Sequence, residues 1–381
     1  MRALLEDYPT LLDYEAGIVL HSDDTSARVY FAASGEQPVD FDIAVDVPPE
    51  RAAALLPEAG TQDLAFGACR IDHPSYSIVV TSLRTESDYR DHRHPTTVRF
   101  VDDPALDARR RDFTVNAIYA AGESGVLFDP LGGARDLEQG RLATIGDADR
   151  RFAEDALRLL RALRFSASHG LEPDAALVAA ARMRAGDLTF LSPERVYGEL
   201  TRTFTGPRRG AALRRFCSLG FAAVLLPEVA AMEGVPQPPE YHPEGCVLTH
   251  VALVLDHVPD DDPLLSWSAI LHDIGKPPTF RQAPDRIRFD GHDVLSAEMA
   301  DAVLARLHAP KQLRAAVVEI CRDHIRMASL PGMRPRRREL WLRSPLFAKH
   351  LAFHRADCLG SHGDLRIHDQ AVAWLAALPP V

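Results

Sequence analysis

The sequence predicts an α+β amino-terminal part followed by an all-helical remainder, on three observations. From residue 17 to about 120, short β-branched and aromatic runs recur between turn residues. From about 150 the apolar positions recur with a helical period. The 381 residues also exceed what one hydrophobic core usually supports, so more than one domain is expected.

The elements follow in order. GIVLHS and ARVYFAAS flank the turn-like DDTS and read as a β-hairpin. VDFDIAVD, YSIVVTSLR, TTVRFVDD and FTVNAIYA read as further strands, and PPERAAALLPEAG as a helix entered at Pro48 and Pro49 and left at Gly60. DRRFAEDALRLLRALRFSASHG and SPERVYGELTRTF are long helical patterns. Leu159, Leu160 and Leu163 form the apolar stripe of the first, with Arg158 and Arg161 opposite. MEGVPQPPEYHPEGC, punctuated by Pro236, Pro238, Pro239 and Pro243, cannot be a helix and reads as a linker, after which helical periods resume. No fixed-period repeat occurs.

Composition narrows the class. Hydrophobic residues make up 46% and charged residues 25%, and no apolar run reaches the roughly 20 residues needed to cross a bilayer. MRALLEDYPT lacks the features of a signal peptide, so no membrane role and a cytoplasmic address are expected. Cys69, Cys217, Cys246, Cys321 and Cys358 are scattered and odd in number, as reduced core thiols would be. The net charge of -11 weighs against nucleic acid, yet the arginines cluster at 109–111, 158/161/164, 208/209 and 336–338, which leaves room for a local basic face.

Two constellations carry chemistry. In VDFDIAV, Asp40 and Asp42 stand two apart and so share one face of a strand. Like charges side by side repel there, and a divalent cation removes that penalty; a plain solvent-facing strand is the alternative. Glu86, in the run IVVTSLRTE, is a candidate third carboxylate for Mg²⁺, which prefers oxygen ligands. Downstream, Asp155 and Arg158 are either an i,i+3 surface ion pair or part of a site. The second constellation is His250, the adjacent His272 and Asp273 in HDIGK, then His292, His324 and Asp357. Mixed His and Asp ligation suits a divalent transition metal such as Mn, Fe, Co, Ni or Zn.

In order and wording these motifs resemble the class II tRNA nucleotidyltransferases and bacterial poly(A) polymerases. DFDIAVD resembles their DxD, VVTSLRTESDYRDHRHPTTVRF their TxRxE strand and flexible loop, and RRRDFTVNAIY their RRDxTxNA motif. FDPLGGARDLEQGRL, GDADRRFAEDALRLLRALRF and LSPERVYGEL are similar to the segments that follow, so the resemblance spans roughly residues 38 to 235. It implies a polymerase-β-like head (1–125), an all-α neck and body (126–240) and an all-α HD domain (241–381). It implies catalytic roles for Asp40, Asp42 and Glu86, with Mg²⁺ on the two aspartates, and nucleotide contacts from Arg111, Asp112, Asn116, Asp155, Arg158 and Arg161. Asp155 and Arg158 would read the base edge in place of a template, and the tRNA 3′ end, CTP and ATP are the implied partners; no protein partner is implied.

The family's opening GGxVRD is absent: the gap-free register sets SARVYF (Ser26 to Phe31) there, and a shifted one uses AGIVLH (Ala16 to His21). The second constellation resembles the HD phosphohydrolases, which implies metal ligation by His250, His272, Asp273 and Asp357, with His292 and His324 as further ligands or phosphate contacts. Two activities stand: addition of C or A to tRNA combined with an HD phosphohydrolase, or an HD phosphohydrolase whose amino-terminal unit only binds RNA or nucleotide. Poly(A) polymerases share the same motifs.

Overall fold

The computed structural model describes residues 19–21, 40–55, 61–73, 76–89, 95–121 and 127–379. The second arm of the expected hairpin, ARVYFAAS, and the SARVYF register lie outside the described residues. Two compact units result: residues 1–158 with 169–184, and 159–168 with 185–381.

The first unit is built on a seven-stranded sheet, ordered β3-β4-β5-β2-β1-β8-β9. Its strands are β1 (Val19–His21), β2 (Asp40–Val45), β3 (Thr61–Asp63), β4 (Ala68–His73), β5 (Tyr76–Ser82), β8 (Tyr119–Ala121) and β9 (Leu127–Phe128). The strand carrying Asp40 and Asp42 is central: β2 runs parallel to β5, with Asp42 opposite Val79, and antiparallel to β1. Ile43, Ala44, Val45, Ile78 and Val80 are buried, as the β-branched runs predict. Helix α1 (Pro49–Leu55) follows β2 as expected, while β3 and β4 were not foreseen.

Two expected strands are corrected. The run IVVTSLRTE breaks at Leu83: β6 (Arg84–Tyr89) leaves the large sheet and pairs with β7 (Pro95–Phe100) in a separate ribbon. In FTVNAIYA, Thr114–Asn116 form a 3-10 turn and only Tyr119 onward is strand. Both breaks serve one core, in which Leu83, Ala44, Ala108, Ala117, Tyr119 and Ile145 pack together. Helix α2 (Pro104–Ala108) is capped by Asp103, whose side chain accepts from the Ala105 N–H, and leads into the arginine run 109–111.

The second unit is helical. Among its elements are α3 (Pro193–Thr205), α4 (Arg209–Ser218), α5 (Val247–His257), α6 (Pro263–Leu271), α7 (His292–Arg306), α8 (Lys311–Asp323), α9 (Pro335–Leu342), α10 (Phe347–Leu359) and α11 (Arg366–Ala376). A 3-10 stretch, His324–Gly332, joins α8 to the segment before α9. Close helix approach is achieved with glycine: a Cβ at Gly210 in α4 would sit 2.3 Å from the Ala252 carbonyl oxygen of α5. Residues 232–246 are irregular as expected, but they pack within this unit and furnish part of the site below.

Candidate active sites

Around the HDIGK motif, side chains from five segments converge. His250 projects from α5; His272 caps α6 and Asp273 follows it; His292 opens α7; His324 begins the 3-10 stretch; Asp357 sits late in α10. Gly275 makes this convergence feasible, because a Cβ there would lie 2.5 Å from the His292 carbonyl oxygen; its N–H donates instead to Ser296 Oγ at 2.9 Å. His250, His272 and Asp273 are each 1% exposed, so the charge and imidazoles are withdrawn from water.

The ring nitrogens fix the chemistry. His272 Nδ1 lies 2.9 Å from the Ala269 carbonyl, His292 Nδ1 2.8 Å from that of Phe289, and His324 Nδ1 2.6 Å from that of Cys321. A carbonyl only accepts, so each Nδ1 carries the proton and each Nε2 is left with a lone pair. His250 Nδ1 likewise faces acceptors, Glu244 Oε1 at 2.9 Å and the Gly360 carbonyl at 3.4 Å. Yet the Nε2 atoms face one another, His250 to His272 and His292 to His324 both at 3.3 Å. The His292 and His324 lone pairs cannot satisfy each other, nor can those of His250 and His272 when His250 is neutral.

Asp273 stands between the two pairs. Its Oδ2 lies 3.2 Å from His272 Nε2 and 3.7 Å from His250 Nε2, and its Oδ1 lies 3.5 Å from His292 and 3.8 Å from His324. Asp357 Oδ1 is 3.0 Å from His250 Nε2 and 3.9 Å from His272 Nε2. Buried Asp273 Oδ1 has no hydrogen-bond partner. Inward lone pairs around an unsatisfied buried carboxylate are what divalent cations complete, and His250–His272–Asp273 and Asp273–His292–His324 each have ligand atoms close enough to share one. The donor set therefore fits metal.

Electrostatics agree. Burial disfavours the charge on Asp273, but His272 and Lys276, whose Nζ is 2.7 Å from Oδ2, hold its carboxyl well below the usual range. Burial lowers His250, but Asp357 and Glu244 outweigh it and raise the imidazole to about 9. Burial and the neighbouring His272 push His324 down to about 4. A metal-free site thus keeps a proton on His250 near neutrality, which an incoming cation displaces.

Sequence reasoning missed Glu244, His242 and Gln237 because the proline-rich stretch read only as a linker. Glu244 Oε1 receives His242 Nδ1 as well as His250 Nδ1, each at 2.9 Å, and Gln237 Oε1 accepts from Lys276 Nζ at 2.7 Å. A His and a Glu two apart just before a histidine-bearing helix was the signal available. The pocket in front of these groups holds about 300 Å³, with His242, Lys276, Arg286 and Arg288 on its walls.

In the first unit, β2 sets positions 40 and 42 on one face of the central strand. Glu86 is on a different sheet. It lies on the β6–β7 ribbon, with Oε1 bound by Arg84 at 2.7 Å and Arg110 at 3.4 Å, while the Tyr89 hydroxyl donates to Oε2 at 2.5 Å. Its oxygens are engaged by two cations and a hydroxyl. Asp107, also missed, anchors the arginines: its carboxylate receives Arg110 Nε at 2.8 Å, Arg111 Nη2 at 3.0 Å and the Tyr119 hydroxyl at 2.9 Å. Spacing in DARRRD, with cations three and four residues after an aspartate, was legible. Asp112 Oδ1 accepts from the Phe113 N–H and from Asn116 Nδ2 at 3.1 Å, bracing the segment behind Arg111.

The expected Asp155–Arg158 pairing is replaced. The helix is interrupted: one helix ends at Glu154, Asp155 is extended, and the next runs over Leu157–His169. Asp155 Oδ1 accepts from the Leu157 N–H, whereas Arg158 Nη1 pairs with Glu154 Oε2 at 2.8 Å. Arg158 is buried, not solvent-facing, and also donates to the Arg151 and Arg110 carbonyls. Leu159, Leu160 and Leu163 are buried as expected, and Arg161 lies over the Phe165 ring.

Family models match along the chain: the Poly A polymerase head domain at residues 32–143, the probable RNA and SrmB-binding site of polymerase A at 170–233, and the HD domain at 241–351. A multifunctional CCA protein of Burkholderia pseudomallei (strain K96243) is 32% identical over 342 residues, covering 84% of this chain and 80% of that protein. The chain belongs to the tRNA nucleotidyltransferase and poly(A) polymerase family that carries a carboxy-terminal HD domain. Another member, the multifunctional CCA protein of Aromatoleum aromaticum, is 38% identical over 72% of this chain and 69% of its own length. With the Xanthomonas campestris (strain B100) protein the identity is 37%, and the match spans little more than half of that relative, 57%.

The fold is that of this family throughout. A Bacillus stearothermophilus CCA-adding enzyme solved with CTP aligns over 100% of this chain and 83% of that one, with a TM-score of 0.69 at 23% identity. A tRNA nucleotidyltransferase solved with a primer tRNA and an incoming ATP analog aligns over 94% of each chain, with a TM-score of 0.61 at 17% identity. No helix of the described residues is long and apolar enough to cross a membrane.

Proposed function

We propose that this protein adds C and A to the 3′ end of tRNA by Mg²⁺-dependent nucleotidyl transfer from CTP and ATP, and hydrolyses phosphoesters at a divalent-metal centre in its HD part. The observation that carries the second half is the set of four imidazoles whose lone pairs converge on Asp273. Asp273, His250, His272 and Asp357 would hold a divalent cation, with His292 and His324 on the other side of Asp273 as further ligands or phosphate contacts. A cation held there would supply Lewis acidity and activate a water. The chain's own residues then do the rest. Lys276, Arg286 and Arg288 on the pocket wall meet the substrate phosphate, and Glu244 holds the tautomer of His250.

For nucleotidyl transfer, Asp40 and Asp42 are the Mg²⁺ ligands, Arg111 on its Asp107 anchor faces the nucleotide phosphates, and Asp112 and Asn116 brace it. Asp155, Arg158 and Arg161 line the nucleotide in this reading. The division of labour follows the head at 1–125, neck and body at 126–240 and HD domain at 241–381. A second reading is favoured by one observation, the replacement of GGxVRD by SARVYF: the amino-terminal unit then only binds RNA or nucleotide.

The test is direct. Transfer RNA lacking its 3′ end is incubated with Mg²⁺ and labelled CTP or ATP, for wild type and for Asp40→Ala with Asp42→Ala. Metal content and 2′,3′-cyclic phosphate hydrolysis are measured for wild type and Asp273→Ala. Extension lost in the first variant and metal lost in the second are expected. Absence of extension with intact hydrolysis selects the second reading, and equal metal in wild type and Asp273→Ala overturns the HD assignment.

A further inference from the structure

Beside the metal pocket lies a second groove of about 970 Å³, lined by Arg326, Arg334, Arg336, Arg337 and Leu340 among others. One continuous element connects the two. The 3-10 stretch begins with His324 and Ile325 in the pocket wall and continues with Arg326, Ala328 and Gly332 in the groove wall. Its nine residues, at about 2 Å rise each, span about 18 Å. Helix α9 forms the far bank and is anchored from beneath by Trp341 and Leu342 in a core with Met327, Leu330 and Phe347. Its arginines are left on the outside.

Those arginines are poorly neutralised. Arg326 pairs with Asp323, Glu339 is engaged by Arg343, and Arg338 lies over the Trp374 ring at 3.9 Å. Arg334, Arg336 and Arg337 are exposed and, among the described residues, have no acidic partner. Arg334 at the N-cap of α9 and Arg336 and Arg337 in its first turn also oppose the helix dipole and repel one another. In a chain of net charge -11 this is a local concentration, not a general basicity. Leu340, 67% exposed, and Ile325, 48% exposed, add apolar surface along the same path.

We propose that this groove is a docking track for the phosphodiester backbone of single-stranded RNA whose 3′-terminal phosphate enters the HD pocket. The substrate of the metal centre is then an RNA end rather than a free mononucleotide. A row of unpaired arginines matches repeating phosphates, and the exposed leucine and isoleucine lie against unstacked bases. The pocket, at about 300 Å³, admits only the terminal group. This inference rests on the phosphohydrolase reading above.

The experiment compares the full-length, manganese-loaded wild type with Arg334→Ala, Arg336→Ala and Arg337→Ala combined. Two substrates are used, 2′,3′-cyclic AMP and a short RNA ending in a 2′,3′-cyclic phosphate, with RNA affinity followed separately by fluorescence anisotropy. Three single-strand phosphate contacts give a log-log salt slope of about -2, a loss of about 20-fold between roughly 50 and 200 mM salt. The variant is expected to lose that slope and about tenfold in kcat/KM on RNA, with hydrolysis of the mononucleotide unchanged. Unchanged kinetics on RNA, or equal losses on both substrates, overturn the proposal. So does groove-dependent binding of poly-glutamate with no groove-dependent binding of RNA, which marks a protein interface instead. If wild type hydrolyses neither substrate while the variant still loses RNA affinity, the hydrolase reading fails and the docking track stands.

Discussion

Arg158 separates a base-reading role from a structural one, and the geometry gives a magnitude. The residue is 7% exposed; Nη1 serves the Arg151 carbonyl at 2.9 Å and Glu154 Oε2 at 2.8 Å, and Nη2 serves the Arg110 carbonyl at 3.1 Å. Arg158→Met removes a charged donor from each. A hydrogen bond from a charged group contributes about 1.5–3 kcal/mol, and Glu154 keeps Arg151 at 2.8 Å, so the losses are not additive. We expect a destabilisation of about 3–5 kcal/mol, a large share of the stability of any domain. In thermal unfolding followed by circular dichroism this is a shift of roughly 10 °C. Asp155→Ala, by contrast, removes the bond that caps the Leu157 N–H, a loss of about 1 kcal/mol from that bond. Incorporation of each nucleotide is measured beside the unfolding curves. A variant of Arg158 as stable as wild type to within about 0.5 kcal/mol, but with altered nucleotide choice, would refute the reasoning, since it would show that the fork is free to leave its present partners.

Other expectations concern the anchoring groups. Glu244→Gln should weaken binding of the HD metal by about 10- to 100-fold while leaving the fold intact, because a neutral amide holds the His250 tautomer less firmly; isothermal titration of metal-free protein with Mn²⁺ checks this. Gly275→Ala should push His292 away from Asp273 and reduce metal stoichiometry more than it reduces affinity at the His250 side, as read by metal analysis. The Asp107 carboxyl, disfavoured as a charge by burial but held down to about 2 by Arg111 and Arg110, contributes about 2 kcal/mol that is fully present above its unfolded value of 3.8 and is lost as pH falls through about 2; Asp107→Asn should flatten the acid limb of urea unfolding. For His250, raised to about 9, the sign is opposite: its contribution in metal-free protein is complete below pH 6.5 and disappears as pH rises through about 9, so metal affinity should climb over that window as the competing proton is lost.

The parts legible in the sequence were those written in short-range pattern. The β-branched runs gave β2 and β5, the leucine spacing gave the buried stripe at 159, 160 and 163, and HDIGK with its flanking histidines gave a set of side chains that does come together. What failed depended on breaks. Leu83 turns inward as a core residue and ends β5, so Glu86 is carried onto another ribbon although no glycine or proline marks the break. Asp155 interrupts a helix because its side chain takes a backbone N–H, which moves Arg158 from the solvent side into a buried network. Prolines in residues 236–243 argued correctly against a helix, yet an irregular backbone can still deliver side chains to a site, as Glu244 does.

The four imidazoles are not oriented by equivalent means, and this orders events during folding. His272, His292 and His324 each give their Nδ1 proton to a carbonyl three residues earlier, so a single local turn sets each ring. His250 instead depends on Glu244, across the preceding loop, and on Gly360, 110 residues away. Three ligands can therefore be preset as soon as their helices form, while the fourth waits for a loop of 110 residues to close. Contacts of such sequence separation are slow to form. Tight metal capture then acts as a late checkpoint: in refolding from denaturant, metal-sensitive signal should lag behind helix formation, and a chain truncated before Gly360 should hold its helices yet capture metal poorly.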